Sequence, residues 1–186
     1  MLTRSQFGCP AAILMLAALL APVLPGDAGP EDELKSATLL AFLQNAHWAE
    51  ELAANTPLTV GVVGRAAFLR RLHASIDGKS VNGHPLRIVS IGGLVDSHCC
   101  QAFYFATDKS AEIKPALQSL ASSHVLTIGE TDGFLAEGGA VNLFLIDGHM
   151  AFEVSLNALE RAGIEISSKL LRFGQIRDLA RGRTAQ

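Results

Sequence analysis

The chain has 186 residues, with 15 Lys and Arg against 18 Asp and Glu and a formal net charge of −3. This mildly acidic balance, with no basic stripe, excludes attachment through nucleic-acid phosphates or anionic lipid. The length is enough to bury a core without disulfide or metal staples.

At the N-terminus, Arg4 precedes an apolar run from Ala11 to Leu24, interrupted by Pro22 and followed by Pro25, Gly26 and Ala28. This pattern predicts a cleaved secretory signal peptide over residues 1–28 and export from the cytoplasm. Read instead as an uncleaved anchor, roughly 14 apolar residues at about 1.5 Å rise each fall short of a ~30 Å hydrocarbon core. Cleavage leaves residues 29–186, about 160 residues, the size of one domain. Of 3 cysteines, only Cys99 and Cys100 then enter an oxidising compartment.

Glu31 to Ala54 reads as one long helix, with acids in the first turn where the helix dipole favours them. It is apolar almost all round from Ala37 to Leu43, which predicts extensive burial. Leu58 to Val63, between Pro57 and Gly64, reads as a strand covered on both faces. Ala66 to Ile76 has helical spacing and Leu86 to Ile91 strand character, and Gly78, Asn82-Gly83 and Pro85 supply turn chemistry between them. Gln101 to Phe105 is a third strand. A helix follows, expected to start at Pro115 and to present Ala116, Leu117, Leu120 and Ala121. Val125 to Ile128 is a fourth strand. Val141 to Ile146 and Met150 to Val154 flank Asp147-Gly148, a strong hairpin signal. Asn157 to Arg161 suits a helical turn or two. Ser167 or Ser168 is placed to cap a last helix carrying Leu170, Phe173, Ile176 and Leu179. Strands alternating with helices predict an α/β fold: one layered domain, a mostly parallel sheet flanked by helices, with right-handed crossovers and a C-terminal antiparallel β-hairpin.

Catalytic signatures are missing from this pattern. The chain has no G-x-S-x-G elbow, no H-E-x-x-H pair and no C-x-x-C. Gly61-Val-Val-Gly64 could bring a phosphate to a helix N-terminus, but it lacks the third glycine of a dinucleotide fingerprint and also suits a plain turn. His98, Cys99 and Cys100 are consecutive and cannot all converge on one tetrahedral metal. The two cysteines leave two readings open. A bond between them would form a strained redox-sensitive ring, because adjacent Cα atoms about 3.8 Å apart lie below the usual ~4.4 Å minimum. Alternatively they open a strand with side chains on opposite faces.

Two constellations are candidates for partner recognition. One is Trp48, the single tryptophan, at the end of the first helix with Phe42 nearly two turns earlier; core packing is the competing role. The other is Phe152, Glu153, Ser167, Ser168, Lys169 and Arg172. Lys169 and Arg172 share a helix face, where they could meet an acidic partner, pair with Glu153 or simply be solvated.

Several segments together resemble a known family. They are the stretch from Lys35 to Trp48, Ile76 to Arg87 (IDGKSVNGHPLR), Cys100 to Phe105 (CQAFYF), Val125 to Gly129 (VLTIG), Asp132-Gly-Phe134 with Gly138 to Asn142 (GGAVN), Phe152-Glu-Val154, and Ala162 to Leu171 (AGIEISSKLL). In this order they resemble the YfiR family of small exported proteins. Ala49 and Ser155 depart from it, standing where the family usually has proline and asparagine. The resemblance implies a non-catalytic periplasmic regulator without a cofactor. Such a protein would bind the periplasmic sensor part of an inner-membrane diguanylate cyclase, hold down cyclic di-GMP and biofilm formation, and be sequestered by an outer-membrane lipoprotein. A homodimer would suit a two-fold-symmetric target. The competing readings are a periplasmic small-ligand module, using the crevice at parallel strand ends, and an enzyme of unknown reaction.

Overall fold

The computed structural model describes residues 29–177 apart from 51, 93–97, 108 and 122, so the proposed leader and Leu179 lie outside the described residues. Helix α1 (Pro30–Asn45) starts with proline in its first turn followed by Glu31, Asp32 and Glu33, residues that suit the positive end of a helix dipole. It buries Leu39, Phe42 and Leu43. The helix stops well short of Ala54. Ala46 takes extended backbone, and β1 (Ala46–Trp48) pairs antiparallel with β9 (Ile164–Ile166), Ala46 opposite Ile166 and Trp48 opposite Ile164. Long-range strand pairing overrides the local helical pattern here, so Trp48 sits on a strand and not on the helix.

The remaining strands form one sheet. They are β2 (Leu58–Gly64), β3 (Ser80–Val81), β4 (His84–Ser90), β5 (Ala102–Ala106), β6 (Leu126–Gly129), β7 (Val141–Ile146), β8 (His149–Val154) and β10 (Gln175–Ile176), in spatial order β10-β8-β7-β6-β5-β2-β4-β3. Neighbours from β4 through β7 run parallel, whereas β3–β4 and β7–β8 are antiparallel hairpins. This is the mostly parallel α/β sheet with a C-terminal hairpin that the alternating pattern predicts. Both hairpins turn on residue pairs with positive φ, Asn82-Gly83 at 50° and 86° and Asp147-Gly148 at 50° and 76°, the geometry that two-residue turns need to match strand twist.

Strand β5 explains how the sheet is covered. All five of its residues, from Ala102 to Ala106, are buried. Tyr104 faces a core with residues of α1, of α2 (Ala66–Ile76) and of α4 (Leu156–Ala162), while Phe103 and Phe105 face a second core with Ile113, Leu117 and Leu120 of α3 (Ser110–Leu120). A strand with layers on both sides must be apolar throughout, which is why its alternation disappears. In the second core the Phe134 ring lies over Gly129 and Gly139, and a Cβ at either glycine would collide with it. The Asp132-Gly-Phe134 and Gly138-Gly-Ala-Val-Asn142 segments are thus two halves of one packing unit.

Three further expectations are corrected. Helix α3 begins at Ser110, so Pro115 lies inside it; the missing N–H is tolerated because Ile113 and Leu117 anchor the turns on both sides in the core. The last helix, α5 (Ser168–Leu171), is a single turn, and Ile176 belongs to β10, which pairs parallel with β8 and extends the sheet past the hairpin. Backbone pairing with Glu153 and Val154 takes the place of a helical continuation, and leaves Phe173 and Ile176 exposed. Finally, Cys99 and Cys100 precede β5 and are joined to each other by a disulfide, so they do not open the strand on opposite faces.

Candidate functional site

The sheet order sets the first site. After β2 the chain crosses by α2 to β4 on one side, and after β5 it crosses by α3 to β6 on the other. The carboxyl ends of β2 and β5 therefore diverge at a topological switch point, where α/β sheets leave a crevice. Here it has a volume of about 1100 Å³ and is bordered by Gly64 and Arg65 after β2, Thr107 and Lys109 after β5, and Glu130 after β6. Gly64 has φ 142°, and a Cβ there would strike the Ala106 carbonyl of the neighbouring strand, so only glycine lets β2 end this close to β5.

A partly buried ionic network meets the crevice at Glu130 and Arg65. Lys35 Nζ of α1 lies 2.7 Å from Glu130 Oε2 and 2.6 Å from Glu31 Oε1, and Tyr104 of β5 donates to the same Glu130 oxygen at 3.1 Å. Arg65 approaches the other Glu130 oxygen at 3.9 Å, and Asp32 pairs with Arg71 to tie α1 to α2. The Lys35 and Glu130 side chains are only 9% and 12% exposed. Burial works against a charged Lys35, but the two carboxylates outweigh it and raise its pKa. Burial, reinforced by Glu130, holds the Tyr104 hydroxyl well above its ordinary range.

The residues singled out by the sequence fall elsewhere. Phe42 and Phe152 meet edge to face at 4.9 Å between centroids, and both are buried, so they serve the core and present no partner surface. Trp48 is half-buried; its indole N–H donates to the Gln101 carbonyl at 3.2 Å, and it borders a shallow cavity of about 340 Å³ with His47, Glu50 and His84. Glu153 pairs with Arg177 at 3.1 Å and accepts from Asn142 at 3.3 Å. Of the roles open to Lys169 and Arg172, pairing with Glu153 gives way to these contacts, because Arg177, directly after β10, is held alongside β8 by its N–H on the Val154 carbonyl.

Ser168 and Lys169 lie exposed on α5, and Arg172 follows it with its guanidinium 4.7 Å above the Phe173 ring. The structure thus splits the expected cluster: Phe152 is buried and Glu153 half-buried, whereas Ser168, Lys169 and Arg172 form an exposed strip. Phe173 and Ile176, respectively 68% and 53% exposed, continue that strip. Cys100 is buried and Cys99 exposed, at the opposite end of β5 from the crevice.

Lys35, Arg65, Tyr104 and Glu130 are the residues that sequence reasoning missed. The available signals were a lysine one turn after the acids Glu31 and Asp32 and just before the apolar part of the helix, and an acid directly after a short, mostly apolar strand. Among the described residues, no three His, Cys, Asp or Glu side chains converge as a metal site would require, and no helix is long and apolar enough to cross a membrane.

A family model described as YfiR/HmsC-like matches residues 32–175. No curated protein matches the chain. Among solved structures, the ABC domain in complex with L-Trp from Streptococcus pneumonia is similar at 11% identity and a TM-score of 0.55, over 80% of this chain and 60% of that one. At that identity the likeness shows the fold alone.

Proposed function

The chain belongs to the YfiR/HmsC-like family, and from that membership we propose that it is a non-catalytic periplasmic regulator. It binds the periplasmic sensor part of an inner-membrane diguanylate cyclase and represses it, lowering cyclic di-GMP and biofilm formation. The family match over residues 32–175 is the observation that carries this reading. The exposed strip of Lys169, Arg172, Phe173 and Ile176 supports it, since a large aromatic and an aliphatic residue flanked by cations suit a protein interface. Trp48 beside its shallow cavity is a second contact region.

Repression follows from differential affinity. A regulator that binds the inactive cyclase more tightly than the active one shifts the population by that ratio and no more. A sequestering outer-membrane lipoprotein would relieve repression by competing for the same surface, and a homodimer would match a two-fold cyclase. The test is cellular cyclic di-GMP in a deletion strain, complemented with the exported chain or with a copy lacking residues 1–28. A rise on deletion, reversed only by the exported form, supports the reading. No change in a strain shown to express the protein overturns it.

A further inference from the structure

The switch-point crevice is not used by the regulatory reading, and its chemistry is specific. Its wall is mainly apolar, with Val63, Ile91, Pro115 and Ala116 on the sides. At the strand ends stand two cations with weak commitments. Arg65, 69% exposed, makes only the 3.9 Å approach to Glu130, and Lys109, 68% exposed, pairs with Glu112, which is itself 52% exposed. Both are free to turn toward an anion at little cost.

Glu130 faces the same space but is committed, accepting from Lys35 and Tyr104 through one oxygen and facing Arg65 with the other. It is therefore a poor partner for a ligand ammonium, which argues against a zwitterion. With Glu112 it also repels added negative charge, which argues against a polyanion. The volume of about 1100 Å³ is ample for a small molecule, and an apolar wall with a few convergent polar groups is the usual build of a ligand site.

We propose that this crevice binds a small organic monoanion with an apolar, partly aromatic body. Its acidic group lies between Arg65 and Lys109, and its body rests against Ile91, Pro115 and Ala116. The site is a ligand-binding function separate from the α5–β10 strip, and it does not depend on the cyclase reading.

The test is a fluorescence titration of the chain over residues 29–186 with anilinonaphthalenesulfonate, a monoanion on an aromatic body, using benzoate and inorganic phosphate as competitors at fixed ionic strength. Saturable one-to-one binding displaced by benzoate but not by phosphate is expected. Arg65→Gln and Lys109→Gln, which remove each cation without setting a second carboxylate against Glu130 or Glu112, should each weaken it about tenfold or more, the scale of a charge-assisted hydrogen bond, with urea midpoints little changed. Ala116→Trp, which fills the cavity from its rim, should abolish it. Absence of saturable binding overturns the proposal. So does binding that survives all three substitutions, that is lost in Phe173→Ala, or that phosphate displaces as well as benzoate.

Discussion

Replacing Glu130 by glutamine keeps the shape of the side chain and removes the charge that compensates Lys35. The two groups lie 2.7 Å apart with side chains 9% and 12% exposed. At an effective dielectric near 20 their attraction is about 6 kcal/mol, and losing one partner of a buried pair generally costs about 3–5 kcal/mol once desolvation is counted. Lys35 retains Glu31 at 2.6 Å, a more exposed partner at 53%, which lowers the expected cost to about 2–3 kcal/mol. Tyr104 keeps an acceptor in the amide oxygen, so its contribution changes less.

The assay is urea unfolding of the wild type, Glu130→Gln, Lys35→Met and the double variant, with a constant m-value confirming an unchanged unfolding transition. The cycle should return a coupling of about 2 kcal/mol, and the double variant should be more stable than Glu130→Gln alone, because it no longer buries an uncompensated ammonium. A coupling below about 0.5 kcal/mol, the range of exposed ion pairs, would refute the view that this network is a buried, energetically linked unit.

Gly139→Ala places a methyl group where the Phe134 ring lies and should cost about 1–3 kcal/mol in thermal or urea unfolding; combining it with Phe134→Leu should recover part of the loss. Stability should decline above about pH 10. An unfolded tyrosine ionises near its model value of 10.0 while Tyr104 stays protonated, and Lys35, raised above 10.5, contributes fully below that value and loses its contribution as pH rises through the folded pKa. Tyr104→Phe should flatten this alkaline limb in pH-dependent unfolding curves. Phe173→Ala should change stability by no more than about 0.5 kcal/mol, as expected for an exposed site, yet weaken capture of the cyclase sensor domain measured by interferometry.

Local signals carried much of the fold. The helix over Ala66–Ile76 and the turns at Asn82-Gly83 and Asp147-Gly148 depend on neighbouring residues and were legible from them. Features set by distant partners were not. The end of α1 depends on β9, which arrives much later in the chain, and Gln175–Ile176 becomes a strand only because β8 offers an edge. The exposed residues of the expected cluster, Ser168, Lys169 and Arg172, were visible as a charge pattern, and the burial of Phe42 agrees with its apolar run, but its contact with Phe152 joins α1 to β8 across a separation that no local window contains. The crevice was legible in kind from the alternation of strands and helices. Its residues were not, because sheet order brings Arg65, Lys109 and Glu130 to one rim.

The pairing of β1 with β9 has a consequence for the order of assembly. Helix α1 leaves the ribosome well before Phe152, which its Phe42 packs against, and Ile164–Ile166, which β1 pairs with. Until they emerge, Leu39, Phe42 and Leu43 lack much of their covering layer. Such non-local closure slows folding and makes it cooperative. The first helix is thus held without its full cover until β9 has been made, so the N-terminal and C-terminal parts of the described fold close together and not in succession.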